Sequence, residues 1–339
     1  MRIGSPSITE VEREYLYDAI EKGDVSQGEY ISRFEKSWAS MNHREHGISC
    51  NSGTSAIQLA LLALGIGEGD KVIVPSFTMA ACAFGVSNVG AEPIFVDCFD
   101  DLTIDHIKLR DMDIEGVKAI MVVPIYGRPC SQEVYDFARE NNLFVIEDFA
   151  EGHGIKPKGD ITCYSFQANK IITTGEGGMC LTNDTVIADE IRKLSSLYFN
   201  KERDMIHGRI AHNFRMTNLQ AAIGLGQCDR FNELKDKRIK IARWYDKYIN
   251  PKYKMPQREV VWVYDIDCGD KQQLIRDILK LEGIETRYGF KPMEMQSYYL
   301  EEYDKLNSYK WSKRILYLPT YFDMTEKDVK KVCKVINKI

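Results

Sequence analysis

Between residues 71 and 148 the chain alternates short β-branched runs with helical stretches, and no other feature constrains its fold as strongly. Residues 71–75 (KVIVP), 93–97 (PIFVD), 119–124 (AIMVVP) and 143–148 (LFVIED) read as strands, and residues 79–89 and 131–141 read as helices between them. Strands joined through helices run parallel, because a tight hairpin can only reverse the chain. The expected fold is therefore α/β, with a mixed, mostly parallel sheet covered on both faces. Residues 55–64 (SAIQLALLAL) are apolar almost all round, as suits a helix buried in such a core.

Further along, residues 161–166 and 179–181 look like short strands around a Thr-Thr-Gly-Glu-Gly-Gly turn at residues 173–178. Residues 217–249 are long, amphipathic and helical, and read as a connector. Beyond them lie a strand candidate at 260–265 and helices at 271–282 and 326–339. A length of 339 residues suits two domains. The division expected is a large domain over residues 1–230 and a smaller α+β domain over residues 231–339.

Composition excludes several function classes. Lys plus Arg is 45 against 50 for Asp plus Glu, a net charge of -5, which argues against a nucleic-acid partner. No apolar run approaches the ~20 residues of a membrane span, and residues 1–14 lack the apolar stretch of a signal peptide. The nine cysteines are scattered without a C-x-x-C pair, which reads as buried free thiols in a reducing cytoplasm. The six histidines have no zinc spacing, so no metal is expected.

Asp97 and Asp148 both close strand runs, and ligands of open α/β sheets bind beyond the carboxyl ends of the strands. Three motifs then carry chemistry. Gly53, Thr54 and Ser55 stand at the start of the buried helix, where hydroxyls, free amides and the helix dipole hold a phosphate. The plain alternative is an N-cap, with Thr54 or Ser55 capping its own helix. Asp148, followed by Glu151, offers a carboxylate to a cation such as a protonated ring nitrogen, or simply caps a loop. Lys170 lies between a strand end and the Gly-rich turn. A lysine there forms a Schiff base once its pKa is lowered, though most lysines are solvated surface groups. The Gly-rich turn lacks the G-x-x-x-x-G-K-[ST] order of a P-loop. Taken together, a phosphate cradle, a strand-end Asp and a cleft Lys are the parts that hold pyridoxal phosphate.

From end to end the sequence resembles the DegT/DnrJ/EryC1/StrS family of nucleotide-sugar aminotransferases, within the aspartate-aminotransferase-like fold (fold type I). The segments that carry the likeness include SGTSA, VIVPSFT, GAEPIFVD, VIED, NKIITTGEGGM, NFRMTNLQAAIGLGQ and YLPTY. The resemblance implies that Lys170 is the lysine bonded to the cofactor and that Asp148 pairs with the pyridine nitrogen. It implies that Gly53, Thr54, Ser55 and Ser165 hold the phosphate, with Asn213 reaching it from a neighbouring subunit of a homodimer or larger oligomer. Glu151 stands where a Gln or Glu meets the ring hydroxyl. Met79 replaces the aromatic residue that usually stacks on the ring, and the stretch between His153 and Ser165 is shorter than is common. The substrates implied are L-glutamate and a nucleotide-linked keto-sugar, in the making of deoxyamino sugars for polysaccharides. Residues 126–130 (YGRPC) resemble the YGHPC segment of GDP-perosamine-forming members, which points to C4 of GDP-4-keto-6-deoxymannose. Tyr126, Arg287 and Lys291 are the substrate contacts expected, with plain packing of residues 126–130 the alternative. A C3 aminotransferase would differ only in pocket shape. A sugar 3-dehydratase of the same fold carries His at the lysine position, so Lys170 argues against it, and a non-catalytic cofactor-binding protein is the remaining rival.

Overall fold

The computed structural model describes residues 1–199 and 205–339. Seven short strands, β1 (His46–Cys50), β2 (Lys71–Pro75), β3 (Glu92–Val96), β4 (Val117–Val122), β5 (Phe144–Asp148), β6 (Ile161–Ser165) and β7 (Gly178–Thr182), form one sheet in the order β1-β7-β6-β5-β4-β2-β3. Only β7 runs against the rest: it pairs antiparallel with both β1 and β6, so β1 points the same way as the parallel strands. The mixed, mostly parallel α/β sheet is as the residue pattern led one to expect. β1 itself was not anticipated, since HGISC lacks a β-branched run.

Alternate residues feed two cores. Ile161, Cys163 and Cys180 face one layer with Ala56, Ile57, Leu59 and Ala60 of the helix Gly53–Ala63. Tyr164, Met179 and Leu181 face the other, where Trp38 meets Tyr164 and Phe166 edge to face and Phe34 packs tilted on Phe166. This period of two with both faces apolar is what a sheet sandwiched between helices requires. Each such Ile, Leu or Phe contributes roughly 1.5–3 kcal/mol by leaving water.

The helix expected over residues 217–249 is two helices, Asn218–Asp229 and Phe231–Tyr248. Arg230 breaks it with φ -106° and ψ 8°, and its guanidinium reaches back to the buried Glu12 at 2.8 Å. The second helix leads into a three-stranded antiparallel sheet, β8 (Tyr264–Asp267), β9 (Arg287–Tyr288) and β10 (Ile315–Leu318), in the order β8-β10-β9. Helices Gln272–Leu281 and Glu326–Ile336 complete that layer around Ile266, Ile275, Leu279, Leu316 and Val332. The run at 260–265 is strand only from Tyr264 onward. Among the described residues no helix is long and apolar enough to cross a membrane.

Candidate active site

The sheet order explains how distant motifs meet. Cys50 ends β1, Asp148 ends β5 and Ser165 ends β6, all at the carboxyl edge. Gly178, at the start of the reversed strand β7, pairs with both Cys50 and Ser165, and Asp148 pairs with Cys163. One antiparallel strand thereby brings the turn after β1 beside the turn after β6. A cleft of about 350 Å³ opens at this edge, lined by Gly53, Thr54, Met79, Asp148, Glu151, Ser165 and Lys170 among others.

Two glycines make the close approach possible. A Cβ on Gly53 would lie 2.7 Å from Ser165 Cβ, and one on Gly178 would lie 2.2 Å from Ser52 O. The helix Gly53–Ala63 therefore begins hard against the strand ends. Its N-cap is Ser52, whose Oγ accepts from the Ser55 amide at 3.1 Å. Among the described residues the Gly53 and Thr54 amides have no acceptor, as is usual for the first donors of a helix, and they stand at the positive end of its dipole. Ser55, by contrast, turns away from the cleft: its hydroxyl donates to Asn51 Oδ1 at 2.7 Å and meets Ser52 Oγ at 2.9 Å. The helix is N-capped, but by Ser52 and not by the Thr54 or Ser55 that the sequence suggested, because the Ser55 hydroxyl is taken up by Asn51 and Ser52.

Asp148 is buried and, among the described residues, accepts only the Ala150 amide (3.0 Å, Oδ1) and the Cys82 thiol (3.1 Å, Oδ2). A carboxylate offers about four acceptor sites, so it keeps capacity toward the cleft. Glu151 is buried too. Burial pushes its carboxyl up to about 7, against the pull of Lys170 and of the Tyr126 amide, which donates to Oε2 at 2.7 Å. Burial lowers the Lys170 pKa, while Glu151 and Asp148 oppose the shift. His153 is held neutral, its pKa brought down to about 3 by burial, and its Nε2 donates to Ser165 O at 3.0 Å. It thus steadies the strand end that carries Ser165.

The remaining expected residues divide. Met79 lines the cleft and is 56% exposed. Arg287 lines it as well, half-exposed and 3.8 Å from Glu285. Asn213 is exposed and outside the cleft wall of its own chain. Two substrate contacts are not where the sequence reading put them. Tyr126 is fully buried, its ring stacked on Phe290 with centroids 5.4 Å apart, its OH accepting the Phe290 amide. Lys291 donates to Ser312 O at 2.8 Å and does not line the cleft. Arg128, 2% exposed, donates to both oxygens of Asp265 (3.0 and 2.9 Å) and to Pro256 O. Cys130 donates to Val123 O. Residues 126–130 are thus a packed joint to the C-terminal layer, because the Tyr126 hydroxyl, the Arg128 guanidinium and the Cys130 thiol are all turned inward to protein partners.

Trp262 and Cys82 were not singled out from the sequence. All nine cysteines are free and buried, as expected, but Cys82 alone touches the cleft carboxylate. Trp262 lies in an apolar run that gave no sign of facing a ligand.

The residues present fit pyridoxal phosphate. The free amides at Gly53 and Thr54 suit its phosphate, the spare acceptor capacity of Asp148 suits a protonated ring nitrogen, and Lys170 is an amine of lowered pKa in the same cleft.

Comparison with known proteins points to one family. The model of the DegT/DnrJ/EryC1/StrS aminotransferase family matches residues 6–337. GDP-perosamine synthase of Caulobacter vibrioides is 36% identical over 363 residues, covering 99% of this chain and 97% of the relative. GDP-perosamine synthase of Escherichia coli O157:H7 is 36% identical over 353 residues, covering 98% and 96%. Among solved structures, a DegT DnrJ EryC1 StrS aminotransferase from Brucella abortus superposes with a TM-score of 0.90 at 29% identity, covering 97% of this chain and 95% of that one.

Proposed function

The chain belongs to the DegT/DnrJ/EryC1/StrS aminotransferase family, a sugar aminotransferase that uses pyridoxal phosphate, and we propose that it moves the amino group of L-glutamate to C4 of GDP-4-keto-6-deoxymannose. The observation that carries the reading is the Lys170 amine, its pKa lowered by burial, in one cleft with Asp148 and the free helix start at Gly53.

Pyridoxal phosphate, when bound, supplies an aldehyde that takes up and releases an amino group and a cationic ring that accepts electrons. The protein does the rest. The amides of Gly53 and Thr54, with Ser165, hold the phosphate and so fix the ring. Asp148 keeps the proton on the ring nitrogen, which is electrostatic preorganisation. Lys170 Nζ would take the proton from the substrate carbon as base and return it as acid. Glu151 holds a proton beside the ring hydroxyl. Arg287, half-exposed on the cleft wall, meets the substrate diphosphate. Asn213, exposed on its own chain, reaches the phosphate of a second copy, so the working unit is a homodimer or larger. Residues 1–230 form the cofactor domain in this division, and residues 231–339 the smaller one. Nine buried free thiols support a cytoplasmic setting.

The test is a glutamate-dependent turnover assay with several keto-sugar nucleotides, followed by NMR of the product. The expected product carries a new amine on C4 of a GDP-linked sugar. Amination at C3, or turnover confined to another nucleotide, would overturn the substrate assignment.

A further inference from the structure

The Lys170 amine makes no hydrogen bond and no ion pair to a described residue. Its Nζ lies instead 4.0 Å from the centroid of the Trp262 ring. That indole is fixed from several directions. Its Nε1 donates at 3.1 Å to the carbonyl of Asn169, the residue before Lys170. The rings of Tyr126 and Tyr317 flank it with centroids 6.1 and 5.9 Å away. Behind it stands Arg238, a buried guanidinium with no carboxylate partner among the described residues. Arg238 Nη1 donates to Trp262 O at 2.9 Å and to Thr320 Oγ1 at 2.8 Å, and Nη2 approaches Asn169 O at 3.4 Å. One cation thus ties the residue that carries the indole to the residue that precedes the lysine. Burial brings Arg238 down to about 10. A lone buried cation is costly, and here every one of its acceptors holds the indole or the lysine's backbone in place.

We propose that the face of Trp262 is the seat of the free Lys170 ammonium whenever that amine is not bonded to the cofactor, which makes Trp262 a positioning residue of the transamination. The proposal rests on the reading of Lys170 given above. Amino-group transfer in two halves leaves the lysine free between them, and the amine must then stay within reach of the cofactor without being locked. A carboxylate seat would hold the ammonium tightly and keep it protonated. A ring face attracts the same cation by only about 0.5–2 kcal/mol and accepts no proton, so the neutral amine leaves readily. The long lysine stem swings from indole to cofactor while its backbone stays pinned by Asn169.

The seat is tested in the full-length, cofactor-free protein by competitive acetylation of Lys170 with acetic anhydride as a function of pH, read by mass spectrometry. Trp262→Leu keeps an apolar wall without a π face, and is expected to lower the Lys170 midpoint by about one pH unit. Trp262→Phe keeps a face and is expected to stay near the wild-type midpoint. Equal midpoints in wild type and Trp262→Leu would overturn the proposal. A second measurement leaves the indole intact. The tryptophan fluorescence of the wild type should change with the same midpoint, and Lys170→Met should abolish that step. Persistence of the step in Lys170→Met would also overturn it. These readouts are independent of turnover. If they fail while Lys170→Ala still abolishes transamination, the seat falls and the proposed function stands.

Discussion

Asp97 follows β3 and Asp148 ends β5, at the same edge of the same sheet, yet their surroundings differ sharply. Asp97 accepts four donors: the amides of Cys98 and Ser308 on Oδ1, and the Asn307 amide and Lys108 ammonium on Oδ2. Burial alone would raise its carboxyl, but these donors hold it below the usual range. Asp148 has one amide and one thiol, the latter a weak donor, and spare lone pairs facing a cleft. The first carboxylate is spent on structure, fastening the helix Asn307–Ser312 to the sheet. The second is left incomplete, and a buried polar group short of partners is what a ligand can complete. Strand-end position nominates a carboxylate; the count of donors around it decides its use.

The contrast can be broken by substitution, and the largest effect belongs to the cleft. Lys170→Ala is expected to lower turnover by about 10⁴-fold or more and to remove the visible absorption band that borohydride bleaches in the wild type. Retention of both would end the assignment. Asp148→Asn removes a charge that only the bound cofactor needs, so kcat should fall about 10²–10³-fold while the urea midpoint barely moves. Asp97→Ala should do the reverse. It strands three backbone amides and a buried loop, costing about 3–5 kcal/mol in urea unfolding, with kcat of the folded protein close to wild type. Loss of activity without loss of stability in Asp97→Ala would erase the distinction drawn here.

The smallest effect comes from Glu151. Its folded pKa is raised from 4.5 to about 7, so the native state binds the extra proton and stability falls as pH rises through that window. Unfolding of the cofactor-free protein at pH 4.5 and 7, compared with Glu151→Gln, should show the wild type losing about 3 kcal/mol more across it. Equal slopes would place Glu151 in a wetter setting than the cleft provides.

Much of the fold was legible because the code for it is local. The run at β2 was read to the residue, and β5, β6 and the helix Gly53–Ala63 to within one or two, since period and punctuation mark them. β1 escaped because its neighbours supply the burial that its composition does not advertise. β10 (ILYL) escaped as a short apolar run without a turn signal. The break at Arg230 also escaped, since continuous amphipathic character hides a kink whose side chain is drawn to Glu12, over 200 residues away in sequence.

The sequence by itself determined the α/β class and the nomination of Gly53, Asp148 and Lys170, because residue type and spacing are properties of single segments. It could not say that Arg128 and Tyr126 turn inward, that Lys291 ends on Ser312 O, or that Trp262 lies under the lysine. Those are decisions of direction. A side chain's direction depends on which distant segment is packed beside it, and only the folded sheet, with β7 reversed between β1 and β6, brings those segments together.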